Sequence, residues 1–129
     1  MELKDDKYCF ACGADNPIGL KLEFNFTGEG VTVKFTPRRE HQGWVNVIHG
    51  GILFTLMDEA MARLIINNGC CVVTSSVEVR FLRQAEIDKE LTITANINGK
   101  EDKIITATSS IVNDRGKTVA YCRGKYIKA

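Results

Sequence analysis

Between Ile52 and Asn67 runs one long helical segment that is apolar on almost every face: Ile52, Leu53, Phe54, Leu56, Met57, Ala60, Met61, Ala62, Leu64, Ile65 and Ile66. A helix apolar all round must be buried on most of its faces. Asn67-Asn68-Gly69 stops it, and no second long helix is available to cover it. The flanking sequence has period two instead. Leu20, Leu22, Phe24 and Phe26 alternate with polar residues, Gly28-Glu29-Gly30 reads as a turn, and Val31, Val33 and Phe35 alternate again, which predicts a hairpin. Residues 38–48 read as a loop. After the helix come four β-like runs, 71–83, 90–98, 103–112 and 117–128, separated in part by Asn98-Gly99 and Asn113-Asp114-Arg115-Gly116. The order is β-β-α-β-β-β-β. A sheet curled round the helix covers one side of it, and a second copy of the chain is the economical cover for the rest.

The expected fold class is therefore α+β, a central helix wrapped by a curved antiparallel sheet. At 129 residues the chain reads as one domain, 1–129, with an irregular segment at 1–18. Seventeen basic residues against sixteen acidic ones argue against a nucleic-acid binder. The stretch from Ile52 to Ile66 is broken by Asp58, Glu59 and Arg63 and is too short to span a bilayer, so no membrane partner is expected. The start, Met1-Glu2-Leu3-Lys4-Asp5-Asp6-Lys7, has no leader-like apolar core. An odd number of cysteines, five, fits a reducing compartment. The expected location is the cytoplasm.

Two adjacent carboxylates on the helix point about 100° apart. Glu59 has Arg63 four residues on, in the favourable orientation for an ion pair. Asp58 has Phe54, Met61, Ala62 and Ile65 at helical spacing and no cation at three or four residues. It must find a partner from elsewhere, raise its pKa, or remain costly. That makes it a candidate for chemistry, the alternative being a buried structural Asp. His49-Gly50-Gly51 stands directly before the helix, where unpaired N–H groups favour negative charge. The bland alternative there is a tight turn.

The run from His41 to Ala60, which contains His41-Gln42-Gly43-Trp44, His49-Gly50-Gly51 and Asp58-Glu59-Ala60, resembles the H-Q-G-W-x-x-x-x-H-G-G-x-x-x-x-L-x-D-E-A signature of hotdog-fold thioesterases. The similarity is greatest to their phenylacetyl-CoA thioesterase-like (PaaI-like) branch. Cys9-Phe10-Ala11-Cys12-Gly13, continued by Asn16-Pro17-Ile18-Gly19-Leu20, is similar to the start common in that branch, as Val79-Arg80-Phe81-Leu82-Arg83 is to its strand after the helix. The resemblance spans essentially the whole chain. It implies hydrolysis of an acyl- or aryl-CoA thioester. Asp58 would be the catalytic carboxylate, as general base or as nucleophile, and the Gly50 N–H would polarise the carbonyl. His49 would shape the loop and bond the substrate, and Thr74 would orient the water. It also implies a homodimer with shared sites, Asp58 from one subunit and Gly50 from the other, assembled as a dimer of dimers. At Gly43 many relatives carry Asn or Gln, although the Gly-Trp variant is itself common in this branch; the chain also departs from the usual pattern at Asn46, where Pro or Gly is usual, and at Gln84, where Pro is usual.

Beside Gly51, Asn46 and Gln42 are candidates for holding the carbonyl. Trp44 is a candidate plug or acyl-pocket wall, and Arg80 and Arg83 are candidate partners for the phosphates of coenzyme A. Strict alternation along 71–83 puts Thr74 with Ser76, Glu78 and Arg80, facing away from the helix unless a bulge or a dimer-spanning site intervenes. Cys9-x-x-Cys12 is half of a zinc site by spacing, but no second such pair exists, so it reads as a packed segment, with a metal shared between subunits as the alternative. No metal and no cofactor are expected. No G-x-S-x-G elbow and no phosphate-loop or dinucleotide fingerprint occurs. The competing function is a non-catalytic acyl-CoA binder or sensor on the same fold.

Overall fold

The structure, a computed structural model, describes residues 2–129. The apolar run forms α1 (Gly50–Asn67). It starts at Gly50 rather than at Ile52 because His49 caps it: His49 Nδ1 accepts from Gly51 N–H at 2.8 Å. Before it lie β1 (Asn25–Thr27), β2 (Gly30–Phe35), a 3-10 turn (Arg39–His41) and a small hairpin, β3 (Gln42–Trp44) and β4 (Val47–Ile48). After it come β5 (Val72–Phe81), β6 (Leu91–Glu101), β7 (Ile104–Val112) and β8 (Thr118–Lys128). Six strands form one antiparallel sheet in the order β1-β2-β6-β7-β8-β5. This is the hotdog fold.

The two periodicities explain the packing. Val31 and Val33, Leu91, Ile93 and Ala95, Ile105 and Ala107, and Cys122 and Tyr126 are the buried alternates of their strands, and α1 lies against that face. Leu53, Leu56, Met57, Ala60, Met61, Leu64 and Ile65 are buried beneath it. Thr55, Asp58, Ala62 and Arg63 are only half-buried and Ile66 is exposed, so the sheet of one chain leaves a strip of α1 uncovered. Among the described residues no helix is long and apolar enough to cross a membrane.

Three expectations change. Asn98-Gly99, expected as a turn, lies inside β6, where the pairing with β7 shifts register between Ile97 and Gly99, and the chain reverses instead at Asp102-Lys103. The alternating run from Leu20 is not a strand along its length. Leu20 and Leu22 are buried, but their N–H groups donate to the carbonyls of Phe10 and Ala11 at 2.9 and 3.0 Å, and ladder pairing begins only at Asn25. The period-two burial is therefore supplied by the N-terminal segment instead of a neighbouring strand. Residues 38–48, expected as a loop, hold the 3-10 turn and the β3–β4 hairpin, whose tip residue Asn46 has φ of 63°.

His41 anchors that hairpin. It is buried, its Nδ1 accepts from Arg38 N–H at 2.9 Å, and its ring lies 5.2 Å from that of Phe35. Burial first, and then the Arg38 charge, hold its pKa below the ordinary histidine value. The folded chain thus favours the neutral ring. His41 contributes its full stability above the unfolded pKa of about 6.5, and loses it as pH falls from there through the folded value. We expect the Tm of the native chain to drop as pH falls below about 6.5, and part of that slope to vanish in His41→Gln. Identical acid slopes in the two proteins would refute the assignment.

Candidate active site

Asp58 is half-buried on α1, on the uncovered strip. It does find partners from elsewhere. Tyr126 Oη donates to Asp58 Oδ1 at 2.9 Å, and Thr74 Oγ1 donates to the same oxygen at 3.0 Å. Tyr126 Oη also lies 3.3 Å from the Asp58 carbonyl, a longer and weaker contact. Among the described residues no donor reaches Oδ2. The carboxylate is oriented by two hydroxyls on one oxygen and keeps the other for a ligand.

Thr74 reaches Asp58 because β5 is irregular there. Its pairing with β8 shifts register between Thr74 and Ser76, so one extra residue sits in β5. The bulge reverses the alternation. Val72 and Thr74 share the helix side with Val77 and Val79, while Val73, which strict alternation with Val77 and Val79 would turn inward, is 45% exposed. Tyr126, which the sequence reading did not single out, is fully buried on β8. Its ring lies over Gly124, where a Cβ would come within 2.7 Å of Tyr126 Cε2. The glycine opens the space and the buried phenol must then find an acceptor. Burial, then the Asp58 charge, push the Tyr126 phenol well above its usual range; the same two causes push the neighbouring Cys122 thiol up to about 12.

The helix N-terminus supplies the opposite electrostatics. His49 N–H donates to the His41 carbonyl at 2.8 Å, and Gly51 N–H is taken by His49 Nδ1. The N–H groups of Ile52 and Leu53 donate to the His49 carbonyl. Among the described residues nothing accepts from Gly50 N–H, so the positive end of the helix is concentrated at that donor. A Cβ at Gly50 would meet only Phe81 at 3.7 Å, ordinary contact, so packing within the chain does not demand glycine there.

The hairpin residues fall as follows. At Gly43 β3 crosses His49 closely: a Cβ would lie 3.2 Å from His49 Cα. Gln42 Oε1 accepts from Asn46 N–H at 3.0 Å and closes the hairpin, which engages the oxygen of the amide and leaves its N–H donors. Asn46 projects from the exposed tip. Trp44, 81% exposed, plugs nothing in its own chain; Val45 beside it is 86% exposed. Arg83 donates to the Thr118 carbonyl at 2.6 Å. Arg80 lies with Glu78, Tyr121 and Arg123 on the outer face of the sheet, lining a cavity of about 390 Å³ away from Asp58. The expected Glu59–Arg63 ion pair is present at 2.9 Å. Glu59 also faces Cys9 and Cys12, an arrangement the spacing did not reveal.

The chain carries an oriented carboxylate and, eight residues earlier at the helix end, a lone backbone donor; the first is a group that can activate water and the second one that can polarise a carbonyl. The comparisons with known proteins agree in kind. The thioesterase superfamily model matches residues 45–120. The acyl-coenzyme A thioesterase PaaI of Escherichia coli is 38% identical over 106 residues, 82% of this chain and 73% of that protein. The solved structure of E. coli PaaI, from the phenylacetic acid degradation operon, superposes with a TM-score of 0.80 at 30% identity, covering 85% of this chain and 80% of that one. A hypothetical thioesterase protein of Streptococcus pneumoniae, solved with coenzyme A, gives 0.80 at 22% identity, covering 84% and 88%.

Proposed function

This chain belongs to the hotdog-fold thioesterase superfamily, in its PaaI-like branch, and from that premise we propose that residues 1–129 act as one domain that hydrolyses acyl- or aryl-CoA thioesters. The observation that carries the proposal is the Asp58 carboxylate, fixed through Oδ1 by Tyr126 and Thr74 with Oδ2 unengaged. A water on Oδ2 attacks the thioester carbon and gives its proton to Asp58. The oxyanion is held by the Gly50 N–H, His49 keeping that helix end in shape. The C–S bond then breaks, and the proton passes to the departing thiolate.

One chain does not complete this site. Gly50 and Asp58 are separated by eight residues of helix, about 12 Å along its axis, too far for one carbonyl to serve both. A homodimer removes the difficulty, with Asp58 of one subunit facing Gly50 of the other. β5, which holds Thr74, is an edge strand with one side free to pair. The exposed Trp44 and Val45 are then wall material for the acyl group next to the partner's surface. On the outer sheet face, exposed Ile104, Tyr121 and Ile127 offer apolar area for a second pairing of dimers. Coenzyme A as leaving group accords with the E. coli and S. pneumoniae relatives.

The test is a panel of short, branched and aryl-CoA thioesters with a thiol-trapping reagent. We expect release of free coenzyme A, fastest with one acyl class. Saturable binding of these compounds with no thiol released from any of them would replace the enzyme by an acyl-CoA sensor.

A further inference from the structure

We propose that Cys9, Cys12 and Glu59 form a zinc site that clamps the N-terminal segment to the helix turn carrying Asp58. The two cysteines lie on a tight loop. Gly13 N–H donates to the Cys9 carbonyl at 2.8 Å, and a Cβ at Gly13 would fall 2.3 Å from Cys9 N and 2.6 Å from the Lys7 carbonyl oxygen. Only glycine allows that closure, and the closure puts both thiols on one side. Forty-seven residues after Cys12, α1 brings up Glu59. Its Oε1 lies 3.5 Å from Cys12 Sγ and 3.9 Å from Cys9 Sγ, and the three ligand atoms are all within 4.8 Å of one another.

Those separations suit a metal. With zinc–sulfur bonds of about 2.3 Å and a zinc–oxygen bond of about 2.1 Å, the oxygen-to-sulfur edge of a tetrahedral site is about 3.6 Å. The three groups form one face of such a tetrahedron with little movement, and water takes the fourth corner. All three are half-buried, so bulk water competes weakly. Two thiolates select a soft, zinc-class ion over magnesium or calcium.

The charges also close. Zinc with two thiolates and a carboxylate carries one net negative charge, and the Arg63 guanidinium lies against it, Nε to Glu59 Oε1 at 2.9 Å. A carboxylate oxygen has two lone pairs, so Arg63 and the ion each take one. In this arrangement Arg63 orients a ligand, the role an outer partner plays in metal sites. The clamp sits one residue from Asp58 and supplies a fixed anchor for residues 2–24, which contain no element of the sheet.

The test uses the full chain, purified with reductant and without chelator. Elemental analysis should find one zinc per chain. After stripping, cobalt(II) should give a near-ultraviolet thiolate-to-cobalt charge-transfer band and the strong visible bands of tetrahedral coordination. Cys9→Ser and Cys12→Ser should each remove about half of the charge-transfer intensity, one of two metal–sulfur bonds. Arg63→Gln should keep the spectrum and weaken zinc binding about 10- to 100-fold. The proposal fails if folded native protein carries no zinc and its cobalt spectrum is that of the octahedral aqueous ion. It fails equally if the two cysteines form a disulfide under these conditions. None of these readouts depends on thioesterase activity.

Discussion

Asp58→Asn is expected to lower kcat about 10²- to 10⁴-fold, the usual contribution of a positioned general base, while the chain stays folded. Asparagine keeps an acceptor where Tyr126 and Thr74 donate, so both hydroxyls remain satisfied and only the proton-accepting oxygen is lost. That loss raises the barrier by about 3–5 kcal/mol at 1.36 kcal/mol per tenfold. KM should move little under the proposed mechanism, in which the carboxylate acts on the water and not on the bound thioester. The two hydroxyls should show a graded version of the same defect. Tyr126→Phe and Thr74→Val each remove one hydrogen bond to a charged group, about 1.5–3 kcal/mol, and free the carboxylate to turn. Glu59→Gln is the control. Its carboxylate points to Arg63 and the two cysteines, so kcat should fall far less. A larger loss at Glu59 than at Asp58, in steady-state kinetics at saturating substrate, would move the chemistry to the neighbouring carboxylate.

The different surroundings of Asp58 and Glu59 were legible in the sequence because both carboxylates lie on one helix, where spacing alone fixes direction. Arg63 four residues after Glu59, and apolar residues around Asp58, were enough to separate them. The strands β6, β7 and β8 were legible for the same reason: their burial follows period two, and Asn113-Asp114-Arg115-Gly116 marks the β7–β8 connection, whereas Asn98-Gly99 falls inside β6 and the chain reverses at Asp102-Lys103. Thr74 was not legible. A bulge between Thr74 and Ser76 reverses the face, and nothing in the Val-Val-Thr-Ser-Ser-Val run announces where the extra residue falls. Tyr126 could have been found. It alternates inward with Cys122 and Gly124, and a tyrosine on the helix side of a strand needs an acceptor for its hydroxyl. The cluster of Cys9, Cys12 and Glu59 lies beyond local rules, since its parts meet only after the N-terminal segment folds across α1. The hairpin at 42–48 was hidden by its length, two short strands with Gly43 in one of them.

Subunit complementation should restore activity to two inactive proteins. Gly50→Pro deletes one N–H and little else. Gly50 is the first residue of α1, where proline is well tolerated, and His49 already has the extended backbone, ψ of 134°, that a following proline requires. The added ring meets only Phe81, at ordinary distance. Loss of the proposed oxyanion donor is expected to cost about 10²–10³ in kcat. Neither Gly50→Pro nor Asp58→Asn is therefore active alone. If each site takes Asp58 from one subunit and Gly50 from the other, a mixed dimer contains one site with both groups intact and one with neither. Unfolding and refolding an equal mixture makes about half the dimers mixed, so about a quarter of native activity should return, as two-fold symmetry requires. A chain that completes its own site predicts no recovery at all, because every subunit in the mixture lacks one group. The roughly 12 Å of helix between Gly50 and Asp58 makes recovery the expected result, and its absence from a verified mixed dimer would return both groups to a single chain and undo the shared site.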